Sequence, residues 1–160
     1  MQQRGFTLIE LIIVIVILGI LAVTAAPRFI DFQGDARAST LQGLKAALQG
    51  GSNLVYAKSA IAGEQGNANT SATAATDNDD VLINGETVET EYGYPNADDI
   101  DFTSIASWTD ISDADWDIDT TTANTAIFYP KDTTNANCSV TYVDAPSGGA
   151  PTITVDATDC

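Results

Sequence analysis

The hydrophobic pattern divides the chain into two unlike parts. From Phe6 to Ala26 it runs 21 residues with one charge, Glu10. A helix rises about 1.5 Å per residue, so this run reaches roughly 30 Å, the thickness of a bilayer core. After Pro27 the pattern becomes one-sided. Leu41, Leu44, Leu48 and Val55 fall at three-, four- and seven-residue steps, on one face of a helix. Arg37, Lys45, Gln49 and Lys58 lie mostly off that face. One long helix is therefore expected over about 6–60, with Gly63 as its stop. The pair Gly50-Gly51 weakens it by about 1 kcal/mol per residue relative to alanine and offers a place to bend.

Beyond the helix the periods shorten. Residues 63–80 are small and polar and read as a surface loop, with a glycosylation sequon by pattern at Asn69-Thr70-Ser71. Apolar residues on both sides of Asn84-Gly85 predict a tight hairpin, because that dipeptide supplies the positive φ angles the turn needs. Tyr92-Gly93-Tyr94-Pro95 reads as a turn, and a short helix is expected over 97–106. Strands are expected over 125–129, 139–143 and 152–155. Folding the last two about Gly148-Gly149 brings Cys138 opposite Cys160. The two cysteines fit an exported disulfide protein, and closing that loop stabilises by roughly 3 kcal/mol. The alternative is two unpaired buried thiols. The expected class is α+β: a long helix whose apolar stripe packs on an antiparallel sheet of about four or more strands. The chain then divides into a leader at 1–5, an apolar helix at 6–27, an amphipathic half at 28–62 and a head at 63–160.

Charge sharpens the division. Residues 1–62 carry a net charge of +2, whereas residues 63–160 hold 19 acids against Lys131 alone. Such a head repels nucleic acid, whose binding rests on neutralised phosphates. It also repels other heads, within a screening length of about 8 Å at physiological salt. Arg4 beside the apolar run keeps the amino end inside and sends the acidic head out. An ordinary cleaved signal peptide is the competing interpretation, with Thr24-Ala25-Ala26 as its site, but Pro27 would follow the cut.

Glu10 is the anomaly of the apolar run. It either snorkels to the interface or waits for a partner charge from another chain. An amine at Phe6, made by cutting after Gly5, would be such a partner. At about 4 Å the attraction is about 4 kcal/mol at an effective dielectric of 20, before desolvation, enough to set register between packed helices. Gly19 and Pro27 bracket a weak stretch, either a simple kink or a segment able to stretch.

The run Arg4-Gly5-Phe6-Thr7-Leu8-Ile9-Glu10 resembles the leader and cleavage motif of type IV prepilins. The runs at 20–29 and 34–45 look more narrowly like the major pilins of mannose-sensitive haemagglutinin (MSHA) pili. The likeness implies that a prepilin peptidase cuts after Gly5, that Phe6 becomes N-methylated, and that Glu10 pairs with the Phe6 amine of a neighbouring subunit. It implies an inner-membrane precursor that an ATP-driven assembly machine extrudes into an extracellular homopolymeric filament serving attachment and biofilm formation. The same motif is shared with type II secretion pseudopilins and minor pilins, which stay as alternatives. A secreted acidic cation-binding domain is a third.

No catalytic constellation is legible. The chain has no histidine, and no phosphate-cradling glycine loop or zinc spacing is present, so an enzyme is not expected. Asp113, Asp115, Asp117 and Asp119 alternate through one short run. On a strand they would share a face and repel; in a loop they would cage a hard cation such as Ca²⁺; otherwise they form a solvated acidic surface. Asp98, Asp99 and Asp101 form a weaker cluster. Trp108 and Trp116 read as core or subunit-packing residues before sugar platforms.

Overall fold

The structure, a computed structural model, describes residues 5–69, 80–131, 133 and 135–160; side chains at 24–32 are outside that description. Residues 1–4 of the leader, residues 70–79 of the loop and two of the three sequon residues lie outside the described residues. Helix α1 spans Leu8–Ala62, 55 residues without a break. It ends as expected at Gly63, which takes φ 84° and closes the last turn onto the Ser59 and Ala60 carbonyls.

Two antiparallel sheets follow, where one was expected. β1 (Asp80–Ile83), β2 (Glu86–Glu91) and β3 (Tyr94–Pro95) form the first, in the order β1-β2-β3. β4 (Trp116–Thr122), β5 (Thr125–Pro130), β6 (Ser139–Val143) and β7 (Thr152–Asp156) form the second, in chain order. Asn84 at φ 51° and Gly85 at φ 92° make the expected hairpin turn, with Ile83 paired to Glu86. Tyr92 and Gly93 turn the chain again, and Tyr94-Pro95 returns as β3 rather than staying in the turn.

The single helix expected over 97–106 is split, and this split separates the sheets. The Asn96 side chain accepts the Asp98 N–H at 2.9 Å and starts a 3₁₀ turn, Ala97–Asp99. Asp101 then caps a second element, α2 (Phe102–Trp108), in a reciprocal box with Ser104. Short polar side chains bonding to nearby backbone compete with helix propagation, so two caps in close succession make two elements.

The stripe on α1 is buried as its spacing predicts. Leu41, Leu48 and Val55 are fully buried, and the small buried residues Ser52 and Ser59 continue the face. Against it pack Ile105, Trp108, Phe128, Val140 and Tyr142 in one core. Both tryptophans are core residues. Tyr142 donates its hydroxyl to the Pro95 carbonyl at 2.8 Å, tying one sheet to the other. Cys138 and Cys160 are disulfide-bonded with Cα atoms 4.9 Å apart, at the end of the β6–β7 hairpin away from its turn. Arg37 on α1 donates to the Cys160 carbonyl at 3.0 Å and fastens the helix to this hairpin end.

The paired glycines differ. A Cβ on Gly50 meets nothing within 4 Å, but one on Gly51 would stand 2.6 Å from Trp108 Cε3 and 2.7 Å from its carbonyl oxygen. Gly51 thus lets α2 lie against α1, and the helix runs on through both. Gly51→Ala is expected to destabilise the head by about 1–3 kcal/mol through overpacking. Gly50→Ala is expected to stabilise it by up to about 1 kcal/mol through helix propensity. Thermal denaturation of the two variants checks the contrast.

Candidate processing and assembly site

The site is the start of α1 and the three residues before it. Gly5, Phe6 and Thr7 lie outside the helix, and Phe6 is 82% exposed. The Gly5–Phe6 bond therefore sits in accessible, non-helical chain, the form a peptidase needs.

Thr7 is the N-cap and has extended backbone. Glu10 folds back onto it: one carboxylate oxygen accepts the Thr7 N–H at 2.9 Å and the Thr7 hydroxyl at 2.6 Å. The Glu10 N–H reaches the Thr7 hydroxyl in return at 3.4 Å. This reciprocal box satisfies two donors that a helix start leaves open. It also fixes the Glu10 carboxylate at the amide next to Phe6, so an amine freed at Phe6 would arise beside it. The reading of Glu10 as an isolated anomaly missed this box, although Thr-x-x-Glu ahead of an apolar run is its signature.

From Leu8 to Val23 every described side chain is exposed, with Leu8 at 75% and Val23 at 77%. No described residue of the head covers this surface, since the buried stripe begins only at Leu41. Among the described residues no helix is long and apolar enough to cross a membrane. The described apolar stretch at 8–23 spans about 24 Å at 1.5 Å per residue. The helix passes through Gly19 and Pro27 unbroken, and a Cβ at Gly19 would meet nothing within 4 Å. The Pro27 side chain lies outside the described residues.

The profile of the prokaryotic N-terminal methylation motif matches residues 1–26. The chain is 49% identical over 49 residues to the type IV narrow pilus major component PilA5 of Thermus thermophilus, a stretch covering 31% of this chain and 42% of that one. The first third of the chain is thus similar to a type IV pilus component. The chain is likewise 58% identical over 38 residues to the type IV major pilin PilA of Myxococcus xanthus, covering 24% of this chain and 17% of that one. The matched part thus spans less than half the length of either pilin. No solved structure matches. Both relatives are pilus components, not enzymes.

The acidic run of the head is dispersed. Asp113 and Asp115 lie in the turn before β4, whereas Asp117 and Asp119 are on the strand. Asp117 bonds Lys131 at 2.7 Å. Asp119 accepts the Thr121 N–H at 2.9 Å, and the Thr121 backbone and side chain hold its carboxyl below the usual range. Among the described residues no three acids, cysteines or histidines converge as a metal site. The lysine and the Thr121 amide each take one carboxylate, and a bulge between Asp119 and Thr122 ends the regular alternation.

Thr7→Ala is expected to loosen the helix start by about 1 kcal/mol, while Thr7→Ser leaves it intact. Amide exchange at residues 8–11 of the full chain in detergent measures this. The alanine variant should exchange about fivefold faster there, and the serine variant at the parent rate.

Proposed function

We propose that this chain is the structural subunit of a type IV pilus. The observation that carries the reading is an uncovered apolar helix headed by the prepilin motif. Such a surface is stable in lipid or against copies of itself, and the motif supplies the route from one to the other. The precursor sits in the inner membrane with its 6–27 segment in the bilayer. Prepilin peptidase cuts after Gly5, and the amine of Phe6 is methylated. The assembly machinery then moves the helix into an extracellular filament, where Glu10 of one subunit meets the Phe6 amine of another and sets the axial step.

The runs at 20–29 and 34–45 favour an MSHA-like major pilin, and with it a role in attaching the cell to surfaces. Gly19 and Pro27 bracket the stretch that would yield when the helix leaves lipid.

Fibres sheared from cells test the proposal. Mass spectrometry should find this chain as the dominant species, starting at an N-methylated Phe6. Glu10→Gln should cut fibre yield about tenfold or more, since a loss of roughly 1.4 kcal/mol per addition is tenfold in affinity. Fibres in which the chain starts near Pro27, or a Glu10→Gln yield equal to that of the parent, would overturn it.

A further inference from the structure

Carboxyls from three parts of the head meet around the 3₁₀ turn. Glu89 and Glu91 come from β2, Asp98 and Asp99 from the turn, and Asp144 from the segment after β6. Glu86 and Asp101 line the same cleft, a cavity of about 210 Å³ open beside Glu89 and Asp99. The phenols of Tyr94 on β3 and Tyr142 on β6 complete the titratable surroundings. Among the described residues the recorded ion pair, Lys131 with Asp117, lies at the opposite end of the β4–β5 hairpin from Asn124.

The turn is also where the two sheets are joined. On one side the Asn96 N–H donates to the Glu89 carbonyl at 2.9 Å. On the other, the Tyr142 hydroxyl donates to the Pro95 carbonyl at 2.8 Å. The Ala97 N–H donates to the Asp144 carboxyl at 2.6 Å. The Asn124 N–H, in the β4–β5 turn, donates to Asp98 at 2.7 Å. Two of these four bonds end on carboxyls of the crowded group.

The Asp99 and Glu89 side chains line one cleft and lie close enough to interact. Two carboxyls so placed can bond to each other only when one holds a proton, because an ionised carboxylate has no donor. The other oxygen of Asp144 is buried with no partner among the described residues, a setting that favours the neutral acid. We infer that the turn over 97–101 is a proton-operated latch between the two sheets. With Asp99 and Asp144 protonated the junction is closed; with both ionised the carboxyls repel and it loosens.

The energetics agree with the geometry. Shielding of its carboxyl, then the neighbouring carboxyl of Glu89, then Asp98 and Asp144 push Asp99 up to about 7. Asp99 is on the cleft rim and in part exposed, so the shielding is incomplete and solvent reaches its carboxyl. Burial pushes Asp144 up to about 6, against the pull of the Ala97 N–H, with Asp98 and Glu91 adding to the rise. Between pH 4 and these values the folded head keeps protons that the unfolded chain has released. Stability therefore falls as pH rises through that window and is greatest on its acid side.

The test compares the full chain in detergent at pH 5 and pH 8, as parent, Asp99→Asn, Asp144→Asn and Asp113→Asn. Asp113 is an exposed carboxylate outside the group. The parent and Asp113→Asn should melt about 5 °C lower at pH 8 than at pH 5. Protection of the Ala97 and Asn124 amides, corrected for intrinsic exchange, should fall about tenfold in both over the same range. In Asp99→Asn and Asp144→Asn each drop should shrink to half or less. Equal drops in all four proteins would assign the response to the general negative charge of the head. A parent with no drop would likewise overturn the latch.

Discussion

An apolar helix surface that its own chain does not cover is the constraint on which the rest depends. From Leu8 to Val23 the side chains point outward all round, while the same helix from Leu41 onward buries one face completely. One continuous helix thus carries two unlike surfaces. Burying apolar area out of water is favourable by about 25 cal/mol per Å², so 8–23 cannot stay wet in a stable state. In the proposed assembly, moving it from lipid to a bundle would gain nothing by water exclusion. There close packing, paired charges and outside work must supply the difference.

The head meets the opposite requirement. Its core is closed over the α1 stripe, although Leu54, Ile61 and Leu82 stay exposed. The disulfide, the Arg37 contact to Cys160 and the Gly51–Trp108 approach each fix the helix or its neighbours within the head. Its excess of acid keeps heads apart in solution and is screened within about 8 Å at physiological salt. Dense packing of heads around a shaft is therefore compatible with like charge. The carboxyls at the sheet junction show the same charge excess folded inward, where it acts on the head's own stability.

Much of this was legible in the sequence where one local rule decides the outcome. The stripe Leu41, Leu44, Leu48, Val55 needed only helical period. Gly63 and Asn84-Gly85 needed only positive φ, and the cysteine pairing followed from hairpin geometry. What stayed hidden depends on contacts between distant residues or on rival local rules. Gly51 looks like a flaw until Trp108 is placed against it. Asn96 and Asp101 are both capping residues, and only their closeness turns one expected helix into two and one sheet into two. Thr7 was in plain view, but the oddity of a charge in an apolar run drew the reading of Glu10 away from its cap. The meeting of Glu89, Asp99 and Asp144 needs the tertiary fold and has no signature in the chain.

The most direct measurement is solvent access to the apolar helix inside finished, lipid-free fibres. A single cysteine at Ile13, whose side chain is 53% exposed in the lone chain, can be probed with a membrane-impermeant maleimide, since the native cysteines are paired. Burial among copies requires Ile13→Cys to stay unlabelled in intact fibres and to react once detergent dissociates them. Labelling in intact fibres at the rate of a cysteine placed at the exposed position Asp113 would contradict it.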